Sequence, residues 1–489
     1  MSLPPVLDIN WLAIAPPLTL LLTAGFGLMF ALYQKDGRAT GLLALVGLAS
    51  SAILNLALFQ NERFGLGGAG FGLNYLADLP ATSFNFVIIV GTVLAVLISY
   101  DYLERTGLDH PEYYPLMLLS AAGAMVMVAA GDLITLLLGL EITSLAVYVL
   151  SAWRQGARES EEAGMKYFLL GAFASAFLIY GIALTYGASG SFHYAEIASA
   201  LGADGFSSLM LATLGGMLVV AGLAFKASLV PFHQWAPDAY TGAPTAVTAF
   251  MSVVVKTAAI GALLRVAASF LPELSPVVLE ALAWVVGLTM VIGNLAAYMQ
   301  RGVKRMLAYS SVAHAGYLGL AVLAVDSGGM QAAMWYLMAY TLMTAGAFAV
   351  LTLLGDRLDH GDELERFAGL GRTRPWLAVA MALFMLSLAG IPPLAGFAGK
   401  VMVFGAALAG GHYALAVIGI LTSVVAAAYY FRVIGYMYFH DPAYQPPRIA
   451  SPFTGSALAL AALGTLLFGL FPGWWYGLLE VGSQLLATR

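Results

Sequence analysis

Long apolar runs separated by short polar connections fill the chain. A helix needs roughly 20 consecutive apolar residues to cross the hydrocarbon core of a bilayer. Fourteen runs qualify, at about 11–33, 40–59, 83–103, 115–131, 133–153, 165–186, 208–235, 244–270, 277–298, 306–325, 330–354, 376–408, 412–439 and 452–471. None alternates with the period of two that a membrane β-strand requires. The expected class is therefore an all-α polytopic membrane protein of about 14 transmembrane helices, each satisfying its own backbone. A short amphipathic tail follows from about Trp474 to Arg489. No Lys or Arg precedes Trp11, so the first run reads as a retained helix rather than a cleaved signal peptide.

Two runs are interrupted. The seventh reads GLAFKASLVPFHQW, with Pro231 inside it, and the twelfth reads MLSLAGIPPLAGFAGK, with Pro392 and Pro393. Proline removes a backbone donor and clashes with the preceding turn, and within a membrane the freed groups must be met by protein or water. The breaks lie five spans apart, and five is odd, so a repeating unit of five helices returns upside down. Spans 4–8 and 9–13 are expected to be two inverted five-helix repeats, an arrangement found in ion-coupled transporters. The expected divisions are an N-terminal three-helix segment over 1–114, a first repeat over 115–270, a second over 277–439, and a C-terminal helix with its tail over 440–489. Spans 5 and 10 become counterparts, each with an ionisable group eight residues from its start: Glu141 after Leu133, and His314 after Met306.

Composition agrees with this pattern and excludes other classes. Of 489 residues 61% are hydrophobic and only 10% charged, against roughly 25% charged in soluble proteins. The net charge of −5 offers no basic surface for nucleic acid, and the absence of Cys removes disulfides, iron–sulfur clusters and thiolate metal sites. Odd-to-even connections carry thirteen Lys and Arg, among them Lys35, Arg154, Lys304, Arg357 and Arg448, whereas the other connections and the termini carry only Arg63 and Arg489. The positive-inside rule then turns both termini away from the cytoplasm. The connection Gly355–Pro375 is cytoplasmic on this reading, an orientation anchor and partner surface. The glycine-rich Gly65–Gly72 lacks the flanking Lys-Ser/Thr and strand of a phosphate loop and reads as a flexible connection on the other side.

The charges left inside the spans are the candidate chemistry. Lys166, Arg265 and Arg432 fall near span ends, where long side chains snorkel to the interface. Lys226, Lys256 and Lys400 lie deep or beside a break, and of 26 acids only Glu141 lies deep in a span. Each such charge costs roughly 2.5–3.5 kcal/mol at mid-membrane. One acid cannot neutralise three lysines, so water must solvate the excess or some amines must be neutral. Amines poised between burial and a carboxylate suit proton exchange. His233, after the Pro231 break, and His314 fall at the same depth and are candidate relays. The seven histidines show no i, i+4 pair, so no metal site is expected, and no dinucleotide fingerprint or haem pair is present.

Four segments carry a family likeness. KASLVPFHQWAPDAYTGAPTAVTAFMSVVVKTA (226–258), RMLAYSSVAHAGY (305–317), LLLGLEITSLAVYVL (136–150) and SLAGIPPLAGFAGK (387–400) together resemble the antiporter-like subunits of respiratory complex I, NADH-quinone oxidoreductase. The resemblance implies a fourteen-helix proton channel within a larger membrane arm. By motif, Glu141 and Lys226 would form a coupling pair, Lys256 the central relay, Lys400 the exit-side amine, and His233 and His314 parts of the connecting polar axis. Lys400, where M-type subunits usually have Glu, is similar to the N type, also called subunit 2, and the chain lacks the extra spans and lateral helix of the L type. The D subunit of a multisubunit sodium/proton antiporter shares most of these motifs and is the alternative. The family implies no cofactor in this chain, with NADH, FMN, iron–sulfur clusters and quinone in partner subunits. It also implies other antiporter-like and small membrane-arm subunits and lipids as partners, and a bacterial cytoplasmic (inner) membrane location.

Overall fold

The computed structural model describes residues 10–33, 35–63, 69–70, 73–203, 206–356, 359, 361–442 and 451–473. In chain order the helices are α1 Trp11–Ala31, α2 Arg38–Arg63, α3 Leu79–Thr106, α4 Tyr113–Val128, α5 Leu133–Ser151, α6 Arg158–Ser189, α7 Tyr194–Ala203, α8 Phe206–Ala227 and α9 Trp235–Gly242. There follow α10 Thr245–Phe250, α11 Lys256–Ser269, α12 Val277–Met299, α13 Val303–Leu323, α14 Gly329–Leu354, α15 Leu370–Thr373, α16 Pro375–Ala389, α17 Ala395–Ala409, α18 Tyr413–Phe439 and α19 Pro452–Leu470. A π-helical turn over Met251–Val255 joins α10 to α11, so Thr245–Ser269 is one 25-residue helix. Two short strands, β1 Ala69–Gly70 and β2 Tyr75–Leu76, pair antiparallel beside the start of α3.

Among the described residues twelve helices are long and apolar enough to cross a membrane, and α4, α16 and α17 are shorter apolar helices. The expected span at 115–131 is thus the short α4. The expected twelfth span is the pair α16 and α17, and the seventh stops at Ala227, its remainder being the separate α9. The connection after α6 holds α7, which the apolar count missed because only ten residues are helical there. The tail from Trp474, Arg357, Arg448 and most of the glycine stretch lie outside the described residues.

Local chemistry sets the helix ends. The Asp78 side chain accepts from Ala81 N at the start of α3, and Asp132 accepts from Ile134 N and Thr135 N at the start of α5, each satisfying donors that a helix start leaves free. At the two breaks the freed groups find partners within the protein. Ser228 follows α8 at φ +64°, a left-handed conformation uncommon for a residue with a Cβ. Val230 N then donates to Thr289 Oγ1 of α12 at 2.9 Å, and Trp235 Nε1 donates to Phe225 O at 2.8 Å. After α16 the left-handed residue is Gly390, and Gly396 N donates to Ser387 Oγ at 3.0 Å.

Burial separates a core from a rim. Thr245–Ala267 is buried throughout, and α3, α13 and α14 nearly so, whereas α1, α2, α6, α12, α18 and α19 present apolar side chains outward. The cations near span ends do not all snorkel as expected. Arg265 is buried and grips Asp78 with both terminal nitrogens, at 2.8 and 2.7 Å, while its Nε donates to Val128 O at the end of α4. Arg432 donates to the carbonyls of Tyr298 and Gln300 at the end of α12, where a helix favours positive charge. Lys166 pairs with Glu162 and Asp238 at 2.6 and 2.8 Å. Lys304, expected in a connection, is buried in the first turn of α13.

Stranding one partner of a buried pair costs about 3 kcal/mol. Arg265→Met leaves Asp78 without its partner, and a lowered melting temperature of the purified protein is expected; an unchanged one contradicts the pairing.

Candidate proton-transfer site

Lys226 closes the last turn of α8, directly before the break. Its Nζ donates to Ser144 Oγ of α5 at 2.7 Å and to Tyr167 Oη of α6 at 3.0 Å. It also lies over the Tyr148 and Tyr167 rings, at 5.3 and 5.0 Å from their centroids, a favourable placement for a cation. Tyr167 is itself stacked on Trp235 at 4.1 Å, so the first turn of α9 supports the ring that holds the amine.

Glu141 does not close on Lys226 as an ion pair. Its Oε1 accepts from Ser175 Oγ of α6 at 2.5 Å, and among the described residues no ion pair within 4 Å joins it to Lys226. Ser144, one turn along α5 from Glu141, is the residue that Lys226 reaches instead. Glu141 is half-buried, on a face of α5 whose neighbours Leu138 and Leu145 are exposed.

Lys256 directly follows the π-helical turn and is buried. The extra residue of a π turn rotates everything after it by about 100° relative to a regular helix. Its Nζ donates to the backbone carbonyl of Ser311 in α13. One turn further along α13, His314 Nδ1 lies 2.6 Å from Tyr336 Oη of α14, and its Nε2 lies 3.2 Å from Tyr430 Oη of α18. Tyr430 Oη also bonds Ser310 Oγ. The buried hydroxyls of Ser311 and Thr344 lie beside Tyr340, and that of Ser311 also beside Tyr240, so further neutral polar groups adjoin Lys256 and His314.

Lys400, in the second turn of α17, turns back toward the break. Its Nζ donates to the carbonyl of Ala389, the last residue of α16, at 2.9 Å, and to Ser423 Oγ of α18 at 2.7 Å. The Tyr317 ring of α13 lies 5.2 Å from the amine. A cavity of about 590 Å³ adjoins it, walled by Phe397, Val401, Phe404 and Val424.

The structure therefore brings the Lys256 amine against α13, the helix that carries His314, and places the Lys400 amine 5.2 Å from the ring of Tyr317 on that same helix. Lys226 sits apart, against α5 and α6. His233 is not drawn into this row: it is half-exposed in the break, and its Nδ1 has no hydrogen-bond partner. Tyr167, Tyr336, Tyr430 and Ser144, which complete the hydrogen-bonding set, escaped the sequence reading because a Tyr or Ser in an apolar run carries no charge to flag it. The spacing of Tyr336 and Tyr340, one turn apart within α14, was the available signal. Among the described residues no cluster of three metal-ligating side chains occurs.

A family model described as NADH:quinone oxidoreductase/Mrp antiporter, TM, matches residues 130–426, which contain all six candidate residues. NADH-quinone oxidoreductase subunit N of Chloroflexus aggregans is 41% identical over 98% of both chains. The chain belongs to the NADH-quinone oxidoreductase subunit N family. A chain of respiratory complex I from Thermus thermophilus superposes with a TM-score of 0.80 at 37% identity, covering 94% of this chain and 98% of that one. A chain of the Mrp complex from Dietzia superposes with a TM-score of 0.82 over 96% of this chain and 97% of that one, at 23% identity, a likeness of fold.

Within this subunit N fold Gly399 makes room for the Tyr336 ring, because a Cβ there would lie 2.1 Å from Tyr336 Cδ2. Gly405, on the same helix, has open space around it. Gly399→Ala is expected to lower the melting temperature of the purified protein. Gly405→Ala should leave it unchanged or raise it, by about 0.5–1 kcal/mol from helix propensity; equal effects of the two would refute the close approach.

Proposed function

We propose that this chain is a proton-translocating membrane-arm subunit of an NADH-quinone oxidoreductase. Quinone reduction elsewhere in the complex would drive proton transfer through Glu141, Lys226, Lys256, His314 and Lys400, with tyrosine hydroxyls and water between them. One observation carries the reading. The three buried lysines rest on neutral oxygens and rings, and among the described residues none is in an ion pair with a carboxylate.

The chemistry follows from that placement. A carboxylate within contact distance would hold a buried amine protonated and fixed. Carbonyl and hydroxyl oxygens stabilise the charged form less strongly, so such an amine releases its proton when a neighbouring charge changes. Two of the lysines also use the broken helices. Lys226 ends α8, and Lys400 caps the terminal carbonyl of α16. The C-terminal end of a helix carries partial negative charge, and half-helix ends facing a polar site are how transporters hold ions at mid-membrane. Glu141, held by Ser175 on the outward side of α5, supplies the one carboxylate at this depth, on a face where a neighbouring subunit could act on it. His233 is a weaker member of the relay, since it lies outside the row of Lys256, His314 and Lys400 around α13.

The same reading takes spans 4–8 and 9–13 as inverted repeats, supported by two broken helices that each end on a left-handed residue. Partners on this reading are the other membrane-arm subunits of complex I, with NADH, FMN, iron–sulfur clusters and quinone held by partner subunits. Location in the bacterial inner membrane rests on the family, and the placing of both termini on the non-cytoplasmic side rests on the charge distribution. The 41% identity to a subunit N favours this over a sodium/proton antiporter component, where the likeness is one of fold.

In membrane vesicles carrying the assembled complex, Lys256→Ala is expected to cut NADH-driven proton pumping severalfold while the complex still assembles. Pumping at the wild-type rate would refute the relay. Sodium-driven proton exchange by the chain reconstituted alone would favour the antiporter reading.

A further inference from the structure

The connection between α14 and α16 contains an acid that does not behave as a solvated anchor. The side chain of Asp359 is only 3% exposed. Its backbone is left-handed, at φ +60°, a conformation that few residues other than glycine adopt. Nearby the connection lies as an antiparallel bridge on the start of α13. Gly302 pairs with Glu363, Val303 N donates to Asp362 O at 2.6 Å, and Leu364 N donates to Arg301 O at 3.4 Å.

The Asp359 carboxylate meets two helix starts at once. Oδ2 accepts from Thr245 N at 3.0 Å and Oδ1 from Thr245 Oγ1 at 2.8 Å, at the beginning of the helix that carries Lys256. The residue before Thr245 is Pro244, which has no side-chain acceptor of its own. Asp359 therefore supplies the capping oxygen from another part of the chain, where negative charge is favoured. Oδ2 also lies 3.3 Å from Lys304 Nζ, in the first turn of α13, and 3.7 Å from Arg154 Nη1. Lys304 Nζ reaches in addition to Ala243 O at 2.7 Å. A lysine at a helix N-terminus opposes the helix dipole, and Asp359 offsets that. Other ionisable neighbours include Asp362, whose carboxyl burial pushes up while Lys304 draws it down, and Tyr102 and Arg105 of α3 and Tyr113 of α4, which the Asp359 charge also reaches.

These contacts form the first of two rungs between the same pair of helices. About three turns along from Thr245 stands Lys256. Two turns along from Lys304 stands Ser311, whose carbonyl accepts from Lys256 Nζ. His314 follows one turn later. The first rung is bound through a carboxylate and two cations, the second through one amine and one carbonyl. The stiffer rung sets the register of the softer one.

We infer that Asp359 is a positioning residue for proton transfer, fixing the start of the Lys256 helix against the start of the His314 helix so that the Lys256 amine meets the Ser311 carbonyl. Asp359 touches none of the transferring groups and acts through helix register. It also ties that register to the connection leading into α16, the half-helix whose last carbonyl Lys400 caps. The inference rests on the proton-relay reading above.

The test is made in vesicles carrying the assembled complex, with proton pumping, NADH oxidation and KM followed together. Asp359→Asn keeps the shape but loses the charge and one acceptor. Its assembled complex is expected to pump at least threefold more slowly, with the KM for NADH unchanged, and Asp359→Glu should recover at least half of that loss. A complex of Asp359→Asn that assembles and pumps at the wild-type rate overturns the inference, as does an equal loss in Asp359→Glu that only tracks reduced assembly. Should Asp359→Asn fail to assemble, Thr245→Val removes a single hydrogen bond of the rung. Slowed pumping in that variant supports the inference and wild-type pumping overturns it. Lys256→Ala in parallel separates the two levels: if it pumps normally the relay itself is wrong, and if it is defective while Asp359→Asn is normal, only the positioning role is.

Discussion

An amine buried in a membrane protein must find an oxygen, and the kind of oxygen decides what that amine can do. Lys226, Lys256 and Lys400 all find neutral ones: serine and tyrosine hydroxyls, and the backbone carbonyls of Ser311 and Ala389. Two of these placements exist only because a helix is broken nearby. Breaking a helix leaves carbonyls without intrahelical donors, and Lys400 takes one of them. Breaks and lysines therefore belong to a single arrangement, in which each supplies what the other lacks.

Charges that are paired with carboxylates lie elsewhere and serve a different purpose. Arg265 with Asp78 fixes the far end of the helix Thr245–Ser269, and Lys304 with Asp359 bears on its beginning. Lys166 and Arg305 share Asp238 on the short α9. Strong pairs thus hold helix ends, where a fixed geometry is useful. The middle of the same helix carries an amine bound only to a carbonyl, where a fixed charge would defeat exchange. A helix held at both ends can present its central side chain to α13 without itself having to be bound there by a strong pair.

The aromatic residues complete this division. Tyr167 serves as hydrogen-bond acceptor to Lys226 and as a stacked ring on Trp235, and Tyr336 and Tyr430 bracket His314. A tyrosine hydroxyl both donates and accepts, which suits it to stand between groups whose protonation changes. Gly399 belongs to the same set by omission, since its missing side chain leaves the volume that Tyr336 fills.

The sequence alone determined the membrane class, the approximate spans, the two breaks and the deep lysines, because each follows from local chemistry: apolar length, a proline's missing donor, a charge without water. It missed α7, took Arg265 for a snorkelling cation, and placed Lys304 in a connection, because whether a charge near a span end faces water or a partner is set by a helix remote in sequence. It paired Glu141 with Lys226 by motif; the tertiary structure adds that Glu141 accepts from Ser175 and Lys226 donates to Ser144 and Tyr167, so the carboxylate acts on the amine without direct contact. The π-helical turn before Lys256 likewise carries no sequence mark, since Met251–Val255 is an ordinary apolar stretch whose extra residue per turn is settled by packing. Only the folded chain decides which oxygen each deep amine meets, since Lys226, Lys256 and Lys400 each reach a residue on a helix more than twenty residues away in sequence, and that geometry depends on how the helices cross.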